Sequence, residues 1–116
     1  MGLQLVSPSA LIKTCRFSAA GATGSKTPII VNTKVFIPLN TKDAGVANEF
    51  CYEAELTGAP KESGVAFNPG NAIYWNPTNG NFTTTASGAT LCGNVIEPSL
   101  SADTTVTGKI AFNAFV

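Results

Sequence analysis

Between residues 47 and 56 the chain alternates strictly. Phe50, Tyr52, Ala54 and Leu56 fall on one face of an extended segment, and Glu49, Cys51, Glu53 and Glu55 on the other. That period of two predicts a strand with its apolar set inward and its carboxylates in solvent. Residues 11–17, 28–32 and 34–39 predict further strands. Pro38, which has no N–H to give a ladder, marks the end or the edge of the last of these. The small residues of 19–25 and the polar run 40–45 predict turns. Residues 72–75 and 82–85 flank Asn76-Pro77-Thr78-Asn79-Gly80-Asn81, where the Asn-Gly dipeptide predicts a β-hairpin. A strand over 91–96 is stopped by Pro98, and a turn at 99–103 leads into a last strand over 104–115, broken or bulged at Gly108. The stretch 57–71, punctuated by Pro60, Gly64, Pro69 and Gly70, predicts a long connection with at most one short helical turn near 60–64.

Strands about ten residues apart with turn signals between them predict a mainly β fold: one small β-barrel or sandwich-like domain over residues 11–116. Residues 1–10 are uncharged and contain Pro8. They read as an extended N-terminal arm in which Leu3, Leu5 and Val6 are free to fill shallow pockets on a partner; the alternative is that they open the domain's own barrel.

Composition narrows the chemistry. The chain has 116 residues, enough for one domain with a real core. Seven Lys and Arg balance seven Asp and Glu, and only 12% of residues are charged. Nucleic acid and anionic membranes need clustered positive charge, so neither is an expected partner. There is no histidine, which removes the commonest general base, the Ser-His and Cys-His pairs, and the commonest metal ligand. Cys15, Cys51 and Cys92 are odd in number and far apart, without CxxC spacing. They read as free, mostly buried thiols in a reducing compartment. No apolar run approaches the roughly 20 residues a membrane-spanning helix needs.

The remaining candidates are weak. Glu53 and Glu55, roughly 7 Å apart on one face of a strand, have a separation similar to that of an inverting glycosidase pair. A solvated outer face explains them as well. Asn76, Asn79 and Asn81 lack the Asp that a calcium loop wants, and turn preference accounts for them. No GxSxG elbow, phosphate-binding loop or dinucleotide fingerprint is present. Tyr74 and Trp75 would make a stacking platform for a base or sugar, but without a basic groove Trp75 fits a core or interface better. No cofactor and no catalytic residue is expected. Two classes survive: a structural domain packed on a larger assembly, and a small binding module for a neutral ligand such as a carbohydrate.

The segment 70–97 resembles the small capsid decoration, or cement, proteins of tailed phages. Gly70, Tyr74, Trp75, Thr83, Thr84, Thr85, Ala86, Gly88, Gly93 and Glu97 stand at positions of that family's pattern. Asp103, Thr104, Val106 and Ile110 match its closing strand more loosely, and residues 47–56 with Gly58, Pro60 and Lys61 resemble its upstream stretch. The family's Asp after the Trp is Asn76 here, its Asn after Gly88 is Ala89, and Gly108 interrupts the last strand. The resemblance implies a non-enzymatic virion protein on the exterior of the head, a homotrimer, with the major capsid protein as partner. It implies no direct contact with nucleic acid or membrane.

Overall fold

The structure, a computed structural model, describes residues 3–5 and 12–116. Its elements are β1 (Gln4–Leu5), β2 (Lys13–Ser18), β3 (Ile29–Val31), β4 (Lys34–Pro38), β5 (Ala47–Thr57), β6 (Ala72–Asn76), β7 (Asn81–Thr83), β8 (Thr90–Glu97) and β9 (Lys109–Asn113). All belong to one antiparallel sheet in the order β3-β4-β5-β9-β8-β6-β7, with β1 and β2 also on β5, curled into a half-barrel. No helix occurs among the described residues.

The sheet is organised by β5, which pairs with four strands. Phe50 and Cys51 pair with β2 on one edge and with β4 on the other. Further along, Leu56 pairs with Leu5 of β1 on one edge and with Ile110 of β9 on the other. The alternation predicted for this strand breaks in the middle. Lys13 pairs with Glu53 but Thr14 pairs with Cys51, so Tyr52 is an extra residue, a β-bulge. The bulge exchanges the faces. Cys51, expected in solvent with the glutamates, lies fully buried in the main core beside Ala54 and Leu56. Phe50 and Tyr52 join a second cluster on the opposite side. There the Phe17 and Phe50 rings stack at 3.9 Å, and Phe36 meets Phe17 edge-on at 5.3 Å. Both faces of the first half of β5 are therefore covered.

The outward carboxylates do face solvent, paired across strands. Arg16 stands opposite Glu49 and Lys13 opposite Glu53, each with N···O 3.7 Å. Lys109 bridges Glu55 at 3.6 Å and Glu97 at 3.8 Å. Exposed pairs of this kind contribute at most about 1 kcal/mol each, so they fix register more than they stabilise.

Three other expectations need correction. The last strand is broken at Gly108, as expected, but only the part beyond the break is a strand. Val106 exchanges backbone hydrogen bonds with Gly58 and Ala59, and β9 begins only at Lys109. The bend falls at Gly108, where any Cβ would lie 2.3 Å from the carbonyl oxygens of Glu97 and Pro98. No helical turn forms at 60–64, because Pro60 bridges to Thr105 and Lys61 to Phe82 instead. The third concerns the arm. Gln4 and Leu5 form β1 on β5, and Leu3 is buried in the main core. Leu3 is thus a core residue rather than a side chain held out for a partner, and Leu5 packs half-buried against the same core. Val6 lies outside the described residues.

Two predictions follow from this packing. Leu3→Ala removes a buried side chain from a short terminal strand and lowers stability by about 2 kcal/mol, read as a reduced urea midpoint at unchanged m-value. The three cysteines are free. Burial pushes the Cys51 thiol up to about 11 and the Cys92 thiol up to about 12. Raised values mean less thiolate at any working pH: at pH 8 only about one part in a thousand for Cys51 and less for Cys92. In the native protein Cys15, half-buried and also raised by burial, reacts first with a thiol reagent, and all three react once urea unfolds the chain. Rapid native labelling of Cys92 would contradict the packing.

Candidate functional site

The residues singled out by motif lie on and around the β6–β7 hairpin. Tyr74 pairs with Thr83, and Trp75 with Phe82, across a loop closed by Asn76 and Asn81. The Asn76 side chain shapes that loop by accepting hydrogen bonds from the N–H groups of Thr78 and Asn79, both at 3.0 Å. The glycines at 70, 80 and 88 take positive φ in turns. Trp75 is buried, its ring edge-on to Phe82 at 4.9 Å. That burial takes Trp75 out of any exposed stacking platform, while Tyr74 beside it is half-buried. Gly93, in β8, is needed for close approach: a Cβ there would sit 1.9 Å from the carbonyl oxygen of Ala111 in β9.

Thr83 connects the hairpin to the upstream part of the motif. Its hydroxyl, buried, donates to Glu62 Oε1 at 2.5 Å and accepts from the N–H of Thr85 at 3.0 Å. The outer edge of β7 is closed by the same segment: Phe82 N–H donates to the Pro60 carbonyl and Glu62 N–H to the Phe82 carbonyl, both at 2.9 Å. Thr84 is half-buried and Thr85 exposed on the way to the 86–89 turn.

Beside this junction lies Lys61, buried, with 3% of its surface exposed. Its ammonium donates to the carbonyls of Glu62 at 2.9 Å, Asp103 at 3.2 Å and Val65, and sits 4.9 Å above the Phe67 ring. Burial lowers its pKa, and the carboxylates of Asp103 and Glu62 oppose that shift. The carbonyls and ring substitute for water around the charge. One cation thereby ties the 61–65 loop to the 101–104 loop, which also share hydrogen bonds from Lys61 N–H to the Thr104 carbonyl and from Gly64 N–H to the Ser101 carbonyl. Sequence reasoning registered Lys61 only as part of a matched stretch. Its single local signal is the one lysine of the 57–71 connection, placed between Pro60 and Glu62.

The structure does not assemble a catalytic constellation from the other candidates. Glu49, Glu53 and Glu55 are partnered by Arg16, Lys13 and Lys109 on the sheet surface. No cluster of His, Cys, Asp and Glu able to hold a metal occurs among the described residues. A cleft of about 500 Å³ opens at the other end of the sheet between residues 17–23 and 29–32. Among the described residues no charged side chain lines it.

A buried hairpin motif, locked to its upstream partner through Thr83 and Lys61, is the arrangement on which the comparison with known families bears. The model of the phage cement protein family matches residues 7–110. The chain belongs to the phage cement protein family. The match spans the junction of Lys61, Trp75 and Thr83 and ends within β9. Comparison with curated proteins and with solved structures finds no match.

Lys61→Ala leaves two loops without their shared cation and several carbonyls unsatisfied. We expect a loss on the order of 3 kcal/mol, a drop in melting temperature on the order of 10 °C. Faster amide exchange should appear in 61–65 and 101–104 before the rest of the sheet. A variant as stable as the parent would show that the buried ammonium contributes nothing net.

Proposed function

We propose that this phage cement protein binds the exterior of the phage head through the major capsid protein and stiffens the expanded shell, acting without catalysis. The observation that carries the reading is the family match over residues 7–110. The architecture supports it. A cement subunit must transmit load without deforming, and here a single strand, β5, is hydrogen-bonded along both edges by four others. Exposed charges are partly neutralised by neighbours within the chain, leaving attachment to backbone and apolar contact. Three free thiols suit synthesis in a reducing host cytoplasm. Exposed Phe115 and Val116 are apolar surface that contact with further copies in a homotrimer would cover.

The experiment is co-sedimentation of the purified protein with expanded, DNA-free heads, together with heating of decorated and bare heads. Saturable binding and a higher disruption temperature for decorated heads are expected. A protein that stays in the supernatant at every concentration overturns the reading. Sedimentation velocity of the free and shell-bound protein tests the trimer separately; isolated single copies in both states remove it.

A further inference from the structure

The sheet ends at β3, whose outer edge has no partner strand among the described residues. Val31 and Lys34 flank a two-residue turn in which Asn32 takes a positive φ of 56°. In such a hairpin the flanking residues form the hydrogen-bonded pair, so Ile29 and Phe36 bond as well while Ile30 and Val35 do not. The N–H and C=O of Ile30 consequently point away from β4. No backbone hydrogen bond engages them among the described residues. The Ile30 side chain is itself 36% exposed.

This edge borders the uncharged cleft. Its opposite wall is built of small residues, Ala19, Ala20, Gly21 and Ala22, and at Gly21 a Cβ would meet nothing within 4 Å. From its rise and spacings, each residue of a strand occupies about 160 Å³. A cleft of about 500 Å³ therefore accepts about three residues of extended chain, the length of β3.

We propose that the β3 edge takes up a short, uncharged, extended segment of the capsid shell protein as an added strand. The deciding argument is charge. The cleft carries none, so its occupant brings none without a desolvation cost. This chain's own β2, which among the described residues pairs only with β5, carries Lys13 and Arg16 and does not suit it. Strand addition gives affinity through main-chain hydrogen bonds, which a neutral protein can use. The inference rests on the shell-binding function proposed above and adds the surface and the partner's chemistry.

The test uses the full chain with two substitutions. Ile30→Pro removes the outward N–H at an edge position where proline is tolerated. Ile30→Lys keeps the N–H and places a charge in the cleft. Each is compared with the parent for melting temperature, sedimentation velocity and binding to expanded, DNA-free heads. Both variants are expected to fold, with melting temperatures within a few degrees of the parent, and to need at least 10-fold higher concentration to half-saturate the heads. In the parent, amide exchange across 28–33 is expected to slow at least 10-fold on heads. A parent that binds heads while a folded variant binds equally well, or while 28–33 exchanges unchanged, overturns the edge proposal alone. Variants that lose self-association yet bind heads normally overturn it in favour of a second copy as occupant. A parent that does not bind heads overturns both this inference and the function beneath it.

Discussion

Backbone pairing along β5 is the constraint from which the rest of the fold is built. A strand of ordinary length satisfies one neighbour on each side. This one has eleven residues and shares each edge between two strands, β2 then β1 on one side and β4 then β9 on the other. Every other element is positioned by where it meets this strand, directly, through β4, or through β9 and β8. The two hydrophobic clusters lie on its two faces, so loss of pairing in β5 would open both at once. Pairing of this kind makes unfolding of the small domain cooperative.

The second half of the molecule is held differently. There the hairpin, the 57–71 connection and the 99–108 loop meet with little regular ladder between them. Their backbone groups are satisfied one by one: Lys61 serves the Glu62, Val65 and Asp103 carbonyls. The Ser99 hydroxyl accepts from the N–H groups of Thr107 and Gly108, both at 3.1 Å. Asp103 accepts from Leu100 N–H and the Thr107 hydroxyl, both at 2.9 Å. Such side-chain caps do for irregular chain what a partner strand does for β5. Gly70, Trp75 and Thr83, on which the sequence resemblance rests, lie here, where geometry depends on particular side chains.

What could be read from residue order is what local chemistry decides. The β6–β7 hairpin, the end of β4 at Pro38, the stop at Pro98 and the solvent-facing glutamates of β5 each follow from a few neighbouring residues. The family was visible in the Tyr74–Trp75 and Thr83–Thr85 pattern for the same reason. What escaped depends on contacts distant in sequence. The bulge at Tyr52 is set by the register of β2. The departure of 104–107 from the last strand is set by its hydrogen bonds to Gly58 and Ala59, and the burial of Leu3 by a place left on the edge of β5. Lys61 escaped because a lysine's burial is dictated by the carbonyls that surround it, none of which is recognisable beforehand.

The bulge has an evolutionary corollary. In a regular strand the loss of one codon turns every residue beyond it to the opposite face. In β5 the extra residue means that Cys51 and Ala54, three positions apart, already share a face. A deletion at the bulge would restore plain alternation, leaving Cys51, Ala54 and Leu56 inward and Glu53 and Glu55 outward. The local bend would be lost, together with Tyr52's packing in the second cluster and the hydrogen bond its carbonyl accepts from Ala114 N–H. A deletion elsewhere in the strand's interior would turn part of it inside out. Length variation among descendants of this gene should accordingly be confined, within this strand, to that one position.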